Sequence, residues 1–188
     1  MAGIPTRVEG ERVGIRAFEP RDAVELCEVR SRNRDFLAPW EPLRTAGFHT
    51  VAAQRAEIDR DRHEWAADRT YAFAIYDVAS GTLIGRVALA NVVRGAWENA
   101  TLGYFVDEAS GRRGVATQAV SLALRFAFGP CRLHRVQAAV MPHNAASKRV
   151  LEKNGFRHEG FSPRYLRLAG AWRDHDLYAI TIEEIPES

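Results

Sequence analysis

The segment from Thr101 to Gly160 constrains this chain more than any other part of it. It begins TLGYFVDEASGRRGVATQAVSLALRFAF and ends VQAAVMPHNAASKRVLEKNGFRHEG. Thr101–Val106 is short and rich in strand-forming residues (Leu102, Tyr104, Phe105, Val106). After Gly111-Arg112-Arg113-Gly114, the residues Val115, Ala119, Leu122, Ala123 and Phe126 recur at spacings of three and four, one face of a helix that runs through Phe128. A short loop that opens onto a helix presents unpaired backbone N–H groups and the positive end of the helix dipole. It therefore suits an anion, and Arg112 and Arg113 add charge beside it. A Walker loop needs a lysine after the last glycine, and none follows Gly114. A dinucleotide fingerprint needs three glycines, and only Gly111 and Gly114 are present.

The second half of the segment narrows the choice. Arg135–Met141 reads as a strand. The following helix has Asn144 as its N-cap and Gly155 where a left-handed C-terminal residue belongs. The loop Gly111–Ala116 resembles the pyrophosphate loop [Q/R]-x-x-G-x-[G/A] of the GNAT N-acetyltransferases. Its last three positions match, and Gly111 stands where Gln or Arg is usual. The run from Asn144 through Ser147 to Gly155-Phe156, with Glu159-Gly160 after it, follows N-x-x-S-x-x-[VL]-[LA]-x-x-x-G-F. It resembles the RimJ/RimL branch, the ribosomal-protein-alanine N-acetyltransferases. Phe36–Pro42 and Gly170–Tyr178 resemble the same branch, so the likeness spans almost the whole chain.

Composition narrows the remaining classes. The 188 residues suffice for one domain with its own core, and 46% hydrophobic with 27% charged residues is ordinary for a globular protein. No apolar run approaches the length of a membrane span, and the polar opening Met1–Gly10 does not read as a signal peptide. The net charge of +2 is too small to argue for nucleic acid. Cys27 and Cys131 lack metal-ligand spacing and read as reduced cytoplasmic thiols.

In order, Glu11–Ala17 reads as a strand, Pro20–Arg34 as a helix, Asn33–Pro42 as a proline-punctuated loop, and Thr50–Asp68 as a polar helix capped by Thr50. Tyr71–Val78 and Thr82–Val93 form a hairpin about Ala79-Ser80-Gly81. Arg157–Leu168 and Ala171–Ile182 close the chain as two strands about Gly170. The expected fold is α+β, a single GNAT domain over residues 1–188. Its mixed, mostly antiparallel sheet has about seven strands and helices on both faces. The resemblance implies that the fourth and fifth of these strands, Thr101–Val106 and Arg135–Met141, splay apart.

Amide formation from a thioester requires a held thioester, a neutral amine, a stabilised oxyanion and a protonated leaving thiolate. The resemblance implies acetyl-CoA as cosubstrate and no metal. Arg112, Arg113, Gly114, Val115, Ala116 and Thr117 would hold its pyrophosphate, with Arg149 near its phosphates and Asn144 on its arm. A backbone N–H of Phe105 or Val106 would meet the oxyanion. Ser147 would protonate the thiolate. Phe36, Trp40 and Tyr165 are the expected acceptor contacts. The RimL-type base position falls on Leu166, which cannot take a proton, so Glu98 is the substitute base, with His143, Tyr165 or water as the others. The expected acceptor is a protein N-terminal α-amine, ribosomal or otherwise. The alternatives are a small-molecule amine and a non-catalytic acyl-CoA-binding protein. Neither nucleic acid nor membrane is an expected partner, and the chain is expected to be a monomer or homodimer.

Overall fold

The computed structural model describes residues 4–111 and 113–185. One mixed sheet contains β1 (Arg7–Glu9), β2 (Val13–Ala17), β3 (Tyr71–Asp77), β4 (Leu83–Val93), β5 (Asn99–Val106), β6 (Arg135–Val140), β7 (Arg157–Leu168) and β8 (Ala171–Thr181). Its order is β1-β2-β3-β4-β5-β6-β8-β7, and every neighbouring pair is antiparallel except β5 and β6. The helices are α1 (Ala23–Arg32), the single turn α2 (Arg34–Leu37), α3 (Val51–Ala66), α4 (Val115–Phe128) and α5 (Ala145–Lys153). The architecture is the α+β sheet expected, with one strand more. The extra strand, β1, is three residues long and polar, and it exists through its pairing with Gly14–Arg16 rather than through any pattern of its own.

Alternation along β3 divides the molecule into two cores. Tyr71, Phe73 and Ile75 join the α4 and α5 side, which contains Ala119, Leu122, Phe126 and Leu151. Ala72 and Ala74 join the α1 and α3 side with Leu26, Val29 and Ile58. The helices therefore lie on both faces. On the α4 side the rings of Trp65, Tyr71, Phe73 and Phe126 meet at centroid distances of 4.9–5.6 Å, mostly edge to face, the favoured aromatic geometry. The polar helix α3 is anchored differently. The Arg86 guanidinium donates to both Asp61 carboxylate oxygens at 2.9 and 3.0 Å, and Gln54 donates to the Phe48 carbonyl at 2.5 Å.

Local signals set several boundaries. The Thr50 side chain accepts from the Ala53 N–H and caps α3. Gly155 has φ +82°, the left-handed turn that ends α5. The helix expected from Pro20 begins at Ala23, because Pro20–Asp22 forms a tighter 3₁₀ turn held by Asp22, which accepts from the Glu19 N–H at 2.8 Å. The segment read as a loop, Asn33–Pro42, is partly helical: α2 runs into a 3₁₀ turn at Ala38–Trp40. Leu37, 7% exposed, plugs it into the interior. No helix among the described residues is long and apolar enough to cross a membrane.

The feature that positions the site is the short pairing of β5 with β6. Only Asn99↔Arg135, Ala100↔Val136 and Thr101↔Gln137 are in register, and Gln137 donates across the junction to Thr101 Oγ1 at 3.3 Å. Beyond Thr101 the two strands part. Each keeps its other neighbour, β4 and β8. The backbone of each strand on the side of the gap is left without a strand partner.

Candidate active site

At the outer end of the gap lies the glycine loop. Gly114 has φ +78° and is the N-cap of α4, with no side chain capping the helix. A left-handed residue there directs the chain into the helix at low cost only if it is glycine. A Cβ on Gly114 would meet nothing within 4 Å. The glycine is therefore required by its backbone conformation, and the space above it is open. Gln118 N–H donates to the Gly114 carbonyl at 2.9 Å, so the amides without a partner among the described residues are those of Val115, Ala116 and Thr117. Arg113 is exposed beside them, and Val115 turns its side chain into the core. Arg112 lies outside the described residues.

The loop is fixed from below. Asp107, 5% exposed, accepts from Arg32 at 2.6 and 3.0 Å and from Asn33 Nδ2 at 2.8 Å. Asn33 Oδ1 in turn accepts from the Glu108 N–H at 2.8 Å. Burial raises the Asp107 pKa, but the Arg32 and Asn33 hydrogen bonds outweigh it and hold the carboxyl below its ordinary value. The end of α1 and the start of the loop are thus joined through a satisfied, mostly buried network.

Deeper in the gap, the first turn of α5 meets β5. Asn144 Oδ1 accepts from the Ser147 N–H at 3.1 Å and caps the helix. Lys148 pairs with Asp176 on β8 at 2.5 Å, which ties the same turn to the far side of the gap and occupies a cation otherwise suited to a phosphate. Ser147 Oγ lies 2.8 Å from the Tyr104 hydroxyl. Burial pushes the Tyr104 phenol up to about 12, against the opposing effect of its bond to Ser147, so Tyr104 keeps its proton at neutral pH. Among the described residues no carboxylate hydrogen-bonds to either hydroxyl. Tyr104 is absent from the sequence-derived set of site residues. The signal was present: on the face shared by Leu102, Tyr104 and Val106, it places a hydroxyl among apolar side chains.

Backbone direction separates the two oxyanion candidates. Successive residues of a strand turn their N–H and C=O groups to opposite sides. Asp107 N–H donates to the Ile84 carbonyl on β4 at 2.8 Å, so Phe105 also faces β4. Val106 and Tyr104 then face the gap. The Phe105 ring packs elsewhere, 4.6 Å from the Arg30 guanidinium.

The aromatic residues expected to contact an acceptor lie on α2, on the 3₁₀ turn after it and on β7. Trp40 lies with its ring centroid 5.3 Å from His143, which stands just before Asn144. Phe36 is exposed on α2. Tyr165 lies in an irregularity of β7 between Ser162 and Leu166, 5.6 Å from the buried His175. His175 Nδ1 bonds to the Arg173 carbonyl at 2.9 Å, a structural role. The hairpin tip joins this wall, since Ala169 N–H donates to the Glu41 carbonyl at 2.9 Å.

One expected residue, Glu98, stands apart. Glu98 is exposed at the paired end of β5, with its carbonyl accepting from the His134 and Arg135 N–H groups. Tyr104 lies six positions further along, roughly 20 Å of strand, so the fold does not bring the Glu98 carboxylate to Ser147. Arg149 is exposed on α5 and makes none of the ion pairs found among the described residues.

The arrangement offers backbone amides at a helix start, leads along an unpaired strand edge, and ends at a proton-bearing hydroxyl pair. The open space over Gly114 and the uncapped amides fit a pyrophosphate. The comparisons agree. The family model "Acetyltransferase (GNAT) domain" matches residues 12–157. The Bacillus subtilis protein named "Probable N-acetyltransferase YjcK" is 38% identical over 92% of this chain and 96% of its own length. The Escherichia coli "[Ribosomal protein uS5]-alanine N-acetyltransferase" is 32% identical over 93% of this chain and 90% of its own. The structure of Mycobacterium smegmatis RimJ in complex with CoA-disulfide superposes with a TM-score of 0.93 at 36% identity, covering 98% of this chain and 91% of that one. Fold, loop and hydroxyl pair lead to the same conclusion as these likenesses: the chain belongs to the GNAT acetyltransferase family and is an N-acetyltransferase related to the ribosomal-protein-alanine enzymes.

Proposed function

We propose that the chain transfers the acetyl group of acetyl-CoA to the N-terminal α-amine of a protein, a ribosomal protein or another, by direct attack within a ternary complex. Acetyl-CoA supplies an activated acetyl group as a thioester. Val115, Ala116 and Thr117 offer their N–H groups to the pyrophosphate, aided by the cationic Arg113. The strand edge at Tyr104 and Val106 receives the arm as an added strand would be received. The Val106 N–H faces the place where negative charge develops on the carbonyl oxygen. Ser147 gives its proton to the departing thiolate and takes one from Tyr104, while the proton shed by the attacking nitrogen returns through solvent to Tyr104, so that both hydroxyls end the cycle protonated.

The observation that carries this reading is the Tyr104–Ser147 pair at 2.8 Å, a proton donor with no carboxylate among the described residues bonded to it. Leu166, exposed on β7, supplies no base either. An α-amine has a pKa near 7.7–8.0, so roughly one in ten is already neutral at pH 7. A lysine side chain near 10.4 is neutral only about once in 10³. A site that donates a proton but builds in no strong base suits the α-amine. The 32% identical E. coli relative, named for the uS5 alanine, supports the same acceptor class.

The test is turnover on matched peptides. Peptides with a free N-terminal alanine should exceed the same peptides with a blocked N-terminus and a free lysine by at least about tenfold, with one rising pH limb near the α-amine pKa. Equal rates would refute the acceptor class, and turnover confined to small amines would replace it.

A further inference from the structure

Beside the acceptor wall lies a cavity of about 170 Å³ whose lining includes Arg30, Arg34, Glu41, Arg44 and His49. Three arginines face one glutamate there. Glu41 is already committed, accepting from Arg30 at 3.0 Å and from Arg44 at 3.2 Å. Arg30, 2% exposed, is further held by Glu57 at 3.3 Å and by the Phe105 and Phe48 rings at 4.6 and 5.0 Å. Arg44 stacks on Phe48 at 4.2 Å. Both are therefore rigidly placed. Arg34 makes none of the ion pairs found among the described residues, and His49 Nδ1 is buried without a hydrogen-bond partner. The cavity thus has an excess of positive charge and an unmet polar atom.

Its place in the fold ties it to the acceptor. Ala38, Glu41 and Leu43 line it, on the segment that carries Trp40 against His143. The Glu41 carbonyl receives the tip of the β7–β8 hairpin. Through the Phe105 ring on Arg30, the cavity abuts β5 itself.

We propose that this cavity is a carboxylate subsite of the acceptor cleft, taking an acidic side chain that follows the acetylated residue. The inference rests on the peptide-acceptor reading above. Arg34 supplies the planar fork that matches a carboxylate. Burial, then the nearby Arg34 and Arg30 charges, hold His49 below the ordinary histidine range, which reflects the excess of positive charge at the cavity. The subsite contributes binding and register and takes no part in the chemistry.

The experiment compares short peptides with N-terminal alanine carrying Glu or Gln at one position from the second to the fifth residue. An extended peptide advances about 3.4 Å per residue, so the scan reaches from about 3 to about 14 Å beyond the acetylated residue. At one or two adjacent positions Glu should lower KM roughly tenfold relative to Gln with kcat unchanged, and the preference should shrink at raised ionic strength. Arg34→Gln should abolish it. The exposed Arg34 is chosen because Arg30 is buried and its loss threatens the fold. A parallel measurement titrates the N-acetylated peptides by tryptophan fluorescence, which needs no turnover. Equal Glu and Gln peptides at every position in both measurements would overturn the subsite while leaving the acceptor class standing, as would a preference that survives Arg34→Gln. A Glu preference in binding without turnover of any peptide would defeat the acceptor class and, with it, the assignment of the cavity to the acceptor cleft.

Discussion

Replacing Ser147 and Tyr104 singly and together tests the central pair. In the structure the Tyr104 phenol is 2.8 Å from Ser147 Oγ, and burial keeps the phenol protonated to about 12. If Ser147 protonates the leaving thiolate, Ser147→Ala should lower kcat by roughly 10²–10⁴, the range for general acid catalysis. That corresponds to about 2.7–5.4 kcal/mol of barrier. Tyr104→Phe removes one neutral hydrogen bond, about 0.5–1.5 kcal/mol of stability. The Tm should therefore fall only a few degrees, on the scale of roughly 2–4 °C per kcal/mol for a chain of this size. Its kcat should fall further than that stability loss suggests, by about 10–10², because Ser147 loses its source of a second proton. Since the two hydroxyls act as one unit, the double variant should be no slower than Ser147→Ala alone. The assay is steady-state kinetics with the α-amine peptide, alongside an acetyl-CoA titration. Losses that multiply in the double variant would show two independent groups. A Ser147→Ala variant with weakened acetyl-CoA affinity and normal turnover would refute the proton-donor reasoning outright.

Gly114→Val forces a β-branched residue to φ +78° at the start of α4, a strain of about 1–2 kcal/mol or a shift of the loop. Because the space above is open, the chain should fold, and the thermal stabilisation by acetyl-CoA should largely vanish; an unchanged shift would contradict the loop assignment. Asp107→Ala leaves Asn33 Nδ2 with one acceptor fewer and should cost about 1–3 kcal/mol, read by urea unfolding. The pH dependence has a definite sign: the folded Asp107 pKa lies below the unfolded value, so its contribution is present above pH 4 or so and is lost as pH falls further. Asp107→Ala should accordingly flatten the acid side of the stability profile, and an unaltered acid limb would show that the carboxylate carries no such linkage.

What could be read from the residues alone was short in range. The apolar stripe of α4, the Thr50 and Asn144 caps, the left-handed Gly155 and the two hairpins are each set by neighbours within a few positions. They survive in the structure nearly unmoved. The glycine loop and the Asn144–Phe156 run pointed to the family for the same reason, since their chemistry lies within single turns. The site itself is built at long range. Tyr104 and Ser147 are 43 residues apart, and Asn33 and Asp107 are 74 apart, so neither pair leaves a local pattern. Glu98 looked suitable because it precedes the right strand, but direction along that strand carried it to the closed end of the gap. The cavity around Arg30 and Arg34 joins α1, α2 and the turn at His49, three segments with no shared local pattern. Backbone conformation is fixed by each residue's own sterics and nearby hydrogen bonds, and these are written in the sequence. Which hydroxyl meets which, and where charge is left unpaired, depends on how the sheet brings distant segments together.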